Sequence, residues 1–337
     1  MSWQTQLRGD SVAWLLAKDD PGVRYLALRD LKNLTPDDRE LRTARKAAHQ
    51  QGPIAAILDK MEAAGFWARS GPGYNPKYRS TVWSIILLAQ LGAAADEDKR
   101  LQRACAYLVD NNLCEGGQFS TSTAPSGTVD CLQGNLCWAL LELGYEDPRL
   151  TNAFEWMART VTGEGIAPIA AKQAAVRYYA YKCGPGFACG VNGQRPCAWG
   201  AVKVMLAMGK VPLSQHTPLM KRAIKQGVDF LFSVDPATAA YPTRNDAKPN
   251  RSWWKFGFPI FYVTDLLQNV EALINLGYGH DKRLANALTI IRDKQDDHGR
   301  WLLEYEYTGK MWLDFGTKRQ PNKWVTLRAL RVLKAVA

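Results

Sequence analysis

Histidine is scarce in this chain, four residues in 337, and His49, His216, His280 and His298 all fall on expected outer helices or turns. A histidine-ligated metal is therefore not expected. No apolar run approaches the roughly 18–20 residues that span a bilayer, and the first ten residues lack the basic stretch followed by an apolar one that marks a secretory signal. These absences predict a cytoplasmic protein without a transmembrane segment. Strand-like alternation is almost wanting as well, which points to helices throughout. With 47% hydrophobic and 22% charged residues, the composition is that of an ordinary globular protein. The length suits one extended domain or two smaller ones.

Acidic residues are outnumbered: 43 Lys and Arg against 32 Asp and Glu leave a formal charge of +11. Nucleic acid, an anionic membrane surface and a phosphorylated substrate are the partner classes such a balance suggests. The basic pairs Lys99-Arg100, Lys221-Arg222, Lys282-Arg283 and Lys318-Arg319 are scattered and separated by acids. Specific nucleic-acid binding is not expected; a solvated basic surface, with peripheral contact to anionic lipid or phosphate left open, is.

What the chain does contain is a recurring phrase. A helix-length apolar run closes on Leu-Gly, a short acidic connector follows, and Arg-Leu opens the next helix: Leu91-Gly92 before Arg100-Leu101, Leu143-Gly144 before Arg149-Leu150, Leu276-Gly277 before Arg283-Leu284. Repetition at roughly 50–70 residues, each unit a helix pair, marks an array whose units cannot bury their apolar faces alone. One set of predicted helices is apolar on most sides and reads as inner: 21–31, 80–91, 129–143, 196–208, 263–276 and 322–336. The amphipathic set reads as outer: 37–50 with 53–64, 99–111, 149–161, 217–233 and 282–295. Six inner helices, with 11–17 available to close the ring, predict an all-α fold, an (α/α)6 toroid forming a single domain over 1–337. An open solenoid is the competing geometry. Long Gly-, Pro- and aromatic-rich connectors at 65–79, 116–128, 163–170, 184–195, 239–261 and 298–321 are of the kind that carry function. Parallel inner helices would gather them on one rim.

Residues 295–301, Gln295-Asp296-Asp297-His298-Gly299-Arg300-Trp301, fit the Gln-x-x-x-Gly-x-Trp core of the repeat motif of squalene and oxidosqualene cyclases. Gly65-Phe66-Trp67 and Gly117-Gln118-Phe119 are weaker echoes, each after an outer helix. On these motifs, and on five helix-pair units in order, the chain resembles the superfamily of terpenoid cyclases and protein prenyltransferase β-subunits over nearly its whole length. The resemblance implies a glutamine that ties the end of the outer helix to the next inner helix, with the Trp stacked on it. A tandem helical repeat with chance Gly-Trp turns is the alternative. The Asp-x-Asp-Asp acid of squalene-type cyclases and the Asp-Asp-x-x-Asp motif of class I terpene synthases are both missing. Asp19-Asp20, Asp37-Asp38 and Asp296-Asp297 sit at expected helix ends or turns and read as caps.

Seven cysteines in a reducing compartment point to metal or catalysis more than to disulfides. Cys183, Cys189 and Cys197 cluster in a Gly-rich loop. Zinc prefers four tetrahedral ligands, so the expected site is zinc on these three with Cys131, in the first turn of the preceding inner helix, as the fourth; Asp130 is an alternative oxygen ligand. Buried structural thiols and a redox or nucleophilic cysteine are the competing readings. The prenyltransferase resemblance implies a zinc held by an Asp and a Cys at one inner-helix start plus a later His. Asp130-Cys131 stands in about that place, but adjacent where the family has one residue between, and no histidine suits. Cys105, Cys114 and Cys137 have no partner spacing and read as buried small hydrophobes.

Asp130 and Asp265 open two inner helices in one register, Asp130-Cys131-Leu132-Gln133 and Asp265-Leu266-Leu267-Gln268. Asp-x-x-Gln is a capping-box pattern. The same placement would let desolvation raise one carboxyl into the range of a general acid, so both are candidate catalytic residues. Trp83, Trp199, Trp254, Phe258, Tyr262 and Trp324 are the candidate substrate-binding residues, since aromatic faces suit an apolar polyene and stabilise cations; ordinary core packing is the alternative. Tyr74, Lys77, Tyr78 and Arg79 form either an anion-binding edge or a rim-stabilising turn. The expected function is an enzyme on an isoprenoid-like hydrophobic substrate, by cyclisation, isomerisation or prenyl transfer. The rival is a non-catalytic, zinc-stabilised helical-repeat module that binds a hydrophobic ligand or a partner peptide.

Overall fold

The structure is a computed structural model that describes residues 3–166 and 180–337. Tyr178 and Tyr179, aromatic residues that precede the cysteine loop in the sequence, and the end of the expected 163–170 connector lie outside the described residues. In chain order come α1 (Ser11–Leu15), α2 (Pro21–Asp30), α3 (Arg39–Gln50), α4 (Gly52–Leu58) and α5 (Thr81–Gln90). Then follow α6 (Lys99–Asn112), α7 (Asp130–Glu142), α8 (Arg149–Thr162), α9 (Ala198–Met208) and α10 (Pro218–Leu231). The last are α11 (Leu266–Asn275), α12 (Ala285–Asp293) and α13 (Lys323–Ala335). Named strands among the described residues amount to a two-residue antiparallel hairpin, β1 (Ala188–Cys189) with β2 (Arg195–Pro196). The fold is all-α, and no helix among the described residues is long and apolar enough to cross a membrane.

Burial separates two populations of helix. Nine of the ten residues of α5 and ten of the eleven of α9 are buried, whereas α3 buries only Leu41, Ala44, Ala48 and His49 of its twelve. A helix apolar all round must be surrounded, and one with a stripe at 3.6-residue spacing lies on the outside. The pairs follow the sequence: α2 packs on α3 and α4, α5 on α6, α7 on α8, α9 on α10 and α11 on α12. Inner helices also touch in succession, α5 with α7, α7 with α9, α9 with α11, α11 with α13, and α13 with α2. Gly134 sets the α7–α9 approach: a Cβ there would stand 2.4 Å from the carbonyl carbon of Lys203, so only glycine lets the backbones meet. Start signals act as written. Asp20 and Asp38 accept the amides of Val23 and Leu41, and Asp296 holds the turn at His298 and Arg300.

The three motif sites are built alike. Trp301 is fully buried; its amide donates to Thr326 Oγ1 in α13 at 2.9 Å and its indole to Ile291 O in α12 at 2.8 Å. Trp67 repeats this, its amide on Thr81 Oγ1 of α5 and its indole on Ile57 O of α4. At the third site the amide of Phe119 donates to Gln133 Oε1 of α7. The aromatic residue therefore couples outer to inner helix. Gln295 has a different role from the one the resemblance implies: it binds Arg292 O at the end of α12, the backbone carbonyl of Gln6 and the amide of Arg8. It ties the helix to the N-terminal segment rather than to the next inner helix.

The connectors fold inward as well as over the rim. Phe258 stacks on Trp324 at 4.7 Å, and Gln90 of α5 clasps the backbone N–H and C=O of Ile260 at 2.7 and 2.8 Å. Between Leu26, Gln90, Trp138, Leu206, Phe258 and Trp324 only about 50 Å³ stays open. At the far ends of these helices a second cavity is walled by paired charges, Glu142 with Arg29 and Lys210, and Asp30 with Arg331.

Candidate functional site

A cavity of about 440 Å³ opens where the first turns of α7 and α9 meet three connectors. Helix starts contribute Val129, Cys131, Cys197, Ala198 and Trp199; the 65–79 connector contributes Tyr74 and Lys77. Tyr241, Trp253 and Tyr262 close the aromatic side, with Lys182, Cys189 and Asn192 opposite. Among the described residues no Asp or Glu lines it. A mostly apolar concave pocket with a few placed polar groups is the usual form of a small-molecule site.

Three of the four expected zinc ligands line this cavity, and the fourth does not. Cys197 is in hydrogen-bonding contact with Cys131 and with Cys189. Contact with Cys131, before burial, pushes the Cys197 thiol up to about 12; contact with Cys197 and then burial raise Cys189 as well. These are neutral thiols near pH 7. Cys183 is fully buried and donates its S–H to Asp130 Oδ1 at 2.6 Å. Among the described residues no group of three or more His, Cys, Asp or Glu could hold a metal. Cys131, Cys189 and Cys197 thus stand together at the cavity, while the fourth expected ligand, Cys183, is engaged with Asp130. Cys105 and Cys137 are buried among apolar side chains, as expected of small hydrophobes, and Cys114 is half-buried.

Asp130 and Asp265 are separated by their neighbours. Asp265 is 1% exposed and receives both terminal guanidinium nitrogens of Arg328 at 2.8 Å. It also accepts the amides of Gln268 at 2.8 Å and Gly257 at 3.3 Å, which makes it a capped and paired carboxylate. As a proton donor it is poorly placed, since its oxygens face donors only. Asp130 meets no cation. Its Oδ1 accepts the Cys183 thiol, its Oδ2 is buried without a partner, and it caps nothing, because Val129 holds the N-cap position. Burial raises its carboxyl to about 8, so it carries a proton at neutral pH. It stands between two cavity-lining residues, Val129 and Cys131.

The aromatic candidates divide too. Trp199 and Tyr262 line the cavity, and Trp83 backs it, its ring 5.2 Å from Tyr262 and 5.4 Å from Tyr74. Phe258 and Trp324 stack on each other around the 50 Å³ gap, and Trp254 donates its indole to Ala237 O, away from the cavity. These three lie outside the lining of the 440 Å³ cavity, because the connector carrying Phe258 turns into the helix assembly. Sequence reasoning passed over Tyr241 and Lys182, which lie in connectors with no periodicity to show their facing. It also passed over Lys203. That side chain is fully buried in α9, its ammonium on Gln268 Oε1, and burial lowers its pKa to about 7. A lysine within the run Val202-Lys203-Val204-Met205 was the available signal.

No family model matches the chain, and no curated protein does. Among solved structures, a variant of the type II terpene cyclase MstE from Scytonema with geranylgeranyl dihydroxybenzoate bound matches at 11% identity and TM-score 0.34. The match covers 87% of this chain and 96% of that one. The same enzyme without ligand matches at 12% and 0.33, over 87% and 96%. A protein from Actinoplanes matches at 13% and 0.31, over 87% and 99%. Likeness at this level assigns neither a family nor a chemistry, which leaves the chain's own residues to carry the functional reading.

Proposed function

We propose that the rim cavity binds an apolar, unsaturated small molecule of isoprenoid type and that Asp130 supplies the proton that starts its cyclisation or isomerisation. The observation that carries the reading is the buried carboxylic acid with one unpartnered oxygen, set between two residues that line an aromatic cavity. An acid that stays protonated at neutral pH and has no cation beside it is suited to donate. Asp130 stands behind the lining, so the alkene would enter between Val129 and Cys131 to take a proton from Oδ2; the adjacent carbon would become cationic, the faces of Trp199, Tyr241, Trp253 and Tyr262 would stabilise that charge, and loss of a proton from a neighbouring carbon to the carboxylate would give the product and restore the acid. No step is routed through zinc. The (α/α)6 toroid belongs to the same proposal. Its support is the succession of inner-helix contacts together with Gly92, where a Cβ would stand 2.6 Å from Leu26 and which brings the end of α5 against α2.

The test is product analysis with a panel of prenyl alcohols, prenyl phosphates and squalene-like polyenes, on the wild type and on Asp130→Asn. New cyclic or isomerised products, lost in a variant that still binds the substrate, are the expected result. Binding without turnover in either protein would leave the non-catalytic module as the function. Neither binding nor turnover across the panel would end the isoprenoid reading.

A further inference from the structure

The chemistry proposed for Asp130 leaves a cluster of three thiols in the same cavity unused. Cys131, Cys189 and Cys197 all line it, and none is in a disulfide. Two features of the backbone bring them together. β1 and β2 pair Cys189 with Arg195, and the amide of Cys197 donates to Phe187 O at 2.9 Å, so Cys189 and Cys197 lie on one face of the hairpin. A Cβ at Gly200 would stand 2.9 Å from the Asp130 side chain, and glycine there lets the first turn of α7, with Cys131, close on the start of α9, which Cys197 precedes. Cys197 is in contact with both other thiols, and of the three it alone is half-buried rather than buried. Cys105, Cys137 and Cys183 are buried and line no part of this cavity. Cys189 and Cys197 are held as neutral thiols, so a disulfide formed here does not have to displace a stabilised thiolate.

We infer that Cys197 is a site of reversible oxidation: with a low-molecular-weight disulfide such as oxidised glutathione it forms an intrachain disulfide to Cys131 or Cys189. The inference does not depend on the isoprenoid reading. In the first step the Cys197 thiol loses its proton as its sulfur bonds to one sulfur of the reagent, and the other sulfur leaves and takes up a proton as a free thiol. Cys131 or Cys189 then loses its proton and attacks the Cys197 sulfur, which breaks the mixed disulfide and releases the second thiol. Two cysteine thiols are oxidised and one reagent disulfide is reduced. A link to Cys131 joins α7 to α9, and a link to Cys189 joins β1 to α9. Either one fixes the chain two residues before Trp199 of the cavity wall.

The experiment incubates the full-length protein, reduced and treated with a chelator, with oxidised glutathione under native conditions. Remaining thiols are alkylated and the peptides are mapped by mass spectrometry. The expected result is a cross-link that contains Cys197, with two thiols per chain lost to it and both recovered on treatment with dithiothreitol. Cys105, Cys137 and Cys183 should stay reduced. Cys114, half-buried and outside the cavity, should take up glutathione at most as a mixed disulfide. Cys197→Ser should lose the cross-link. If that variant does not fold, the double variant Cys131→Ser/Cys189→Ser decides the matter, since it should halt at a glutathione adduct on Cys197. No cross-link in the wild type, a cross-link that omits Cys197, or an adduct left standing on Cys197 of the wild type would overturn the inference. None of these outcomes bears on the prenyl panel, so the isoprenoid reading stands or falls separately.

Discussion

At the start of α11, Asp265 accepts two backbone amides and a two-point ion pair from Arg328; at the start of α7, Asp130 accepts one thiol and leaves an oxygen unpartnered. The two share the pattern Asp-x-x-Gln, yet their glutamines also part ways. Gln268 takes the Lys203 ammonium and the Thr264 hydroxyl, whereas Gln133 reaches back to the amide of Phe119 and the carbonyl of Gly117. One local pattern thus yields a charged structural anchor and a neutral acid. What differs is the helix opposite: α13 offers Arg328 to Asp265, while α9 offers Asp130 only Gly200, whose missing Cβ would lie 2.9 Å from the Asp130 side chain.

The comparison is broken most directly by removing each acid. Asp130→Asn keeps the shape and removes the ionisable proton, and is expected to lower turnover by about 10²–10⁴ while the protein stays folded; kcat on whichever panel substrate is turned over reads this. Activity within a factor of a few of wild type would make the two aspartates equivalent after all. Arg328→Met acts on the other side. It leaves a buried Asp265 without its counter-ion and should cost about 3–5 kcal/mol of stability, measured by denaturant unfolding. Asp265→Asn in the same background should recover part of that loss.

Titration sharpens the contrast further. The Asp130 carboxyl rises from its ordinary 3.8 to about 8 on folding. Between those values the folded protein holds a proton that the unfolded chain has released, so its contribution is fullest below about pH 4 and falls as pH rises to 8. The slope is about 1.4 kcal/mol per pH unit at most, and Asp130→Asn should flatten it in unfolding curves taken from pH 5 to 8. Lys203 has the opposite sign. Its pKa falls from 10.5 to about 7, so the unfolded chain holds the extra proton and stability recovers as pH rises from 7 toward 10.5. Lys203→Met removes a poorly solvated charge and is expected to raise stability at pH 7 by about 1–2 kcal/mol, the smallest of these effects and one readable as a higher Tm.

The order of helices, and which of them are inner, could be read from the chain because burial imposes a 3.6-residue period on outer helices and erases it on inner ones. Thr81 to Ala89 and Ala198 to Met208 are cases of the second kind. Ends were less legible. The helix expected over 53–64 stops at Leu58, where the backbone turns toward Gly65 and Trp67. In the site, Cys131, Cys197, Trp199 and Tyr262 were reachable because they open helices or adjoin them. Tyr241 and Lys182 were not, because irregular backbone gives a side chain no preferred face. Phe258 and Trp324 stand apart from Trp199 and Tyr262, which aromatic composition by itself does not show.

By itself the sequence determined an all-α chain of paired helices, the capping aspartates Asp20 and Asp38, and the Gly-aromatic turns at Trp67, Phe119 and Trp301 that couple outer to inner helix. All of these depend on residues within a few turns of one another, where spacing dictates geometry. The tertiary structure alone decided that Arg328 neutralises Asp265 and leaves Asp130 without a cation, that Cys183 donates to Asp130, and that Lys77 and Lys182 line one cavity. Charge, burial and protonation depend on groups brought together from 53 to more than 100 positions apart, and no local pattern records which helix will stand opposite.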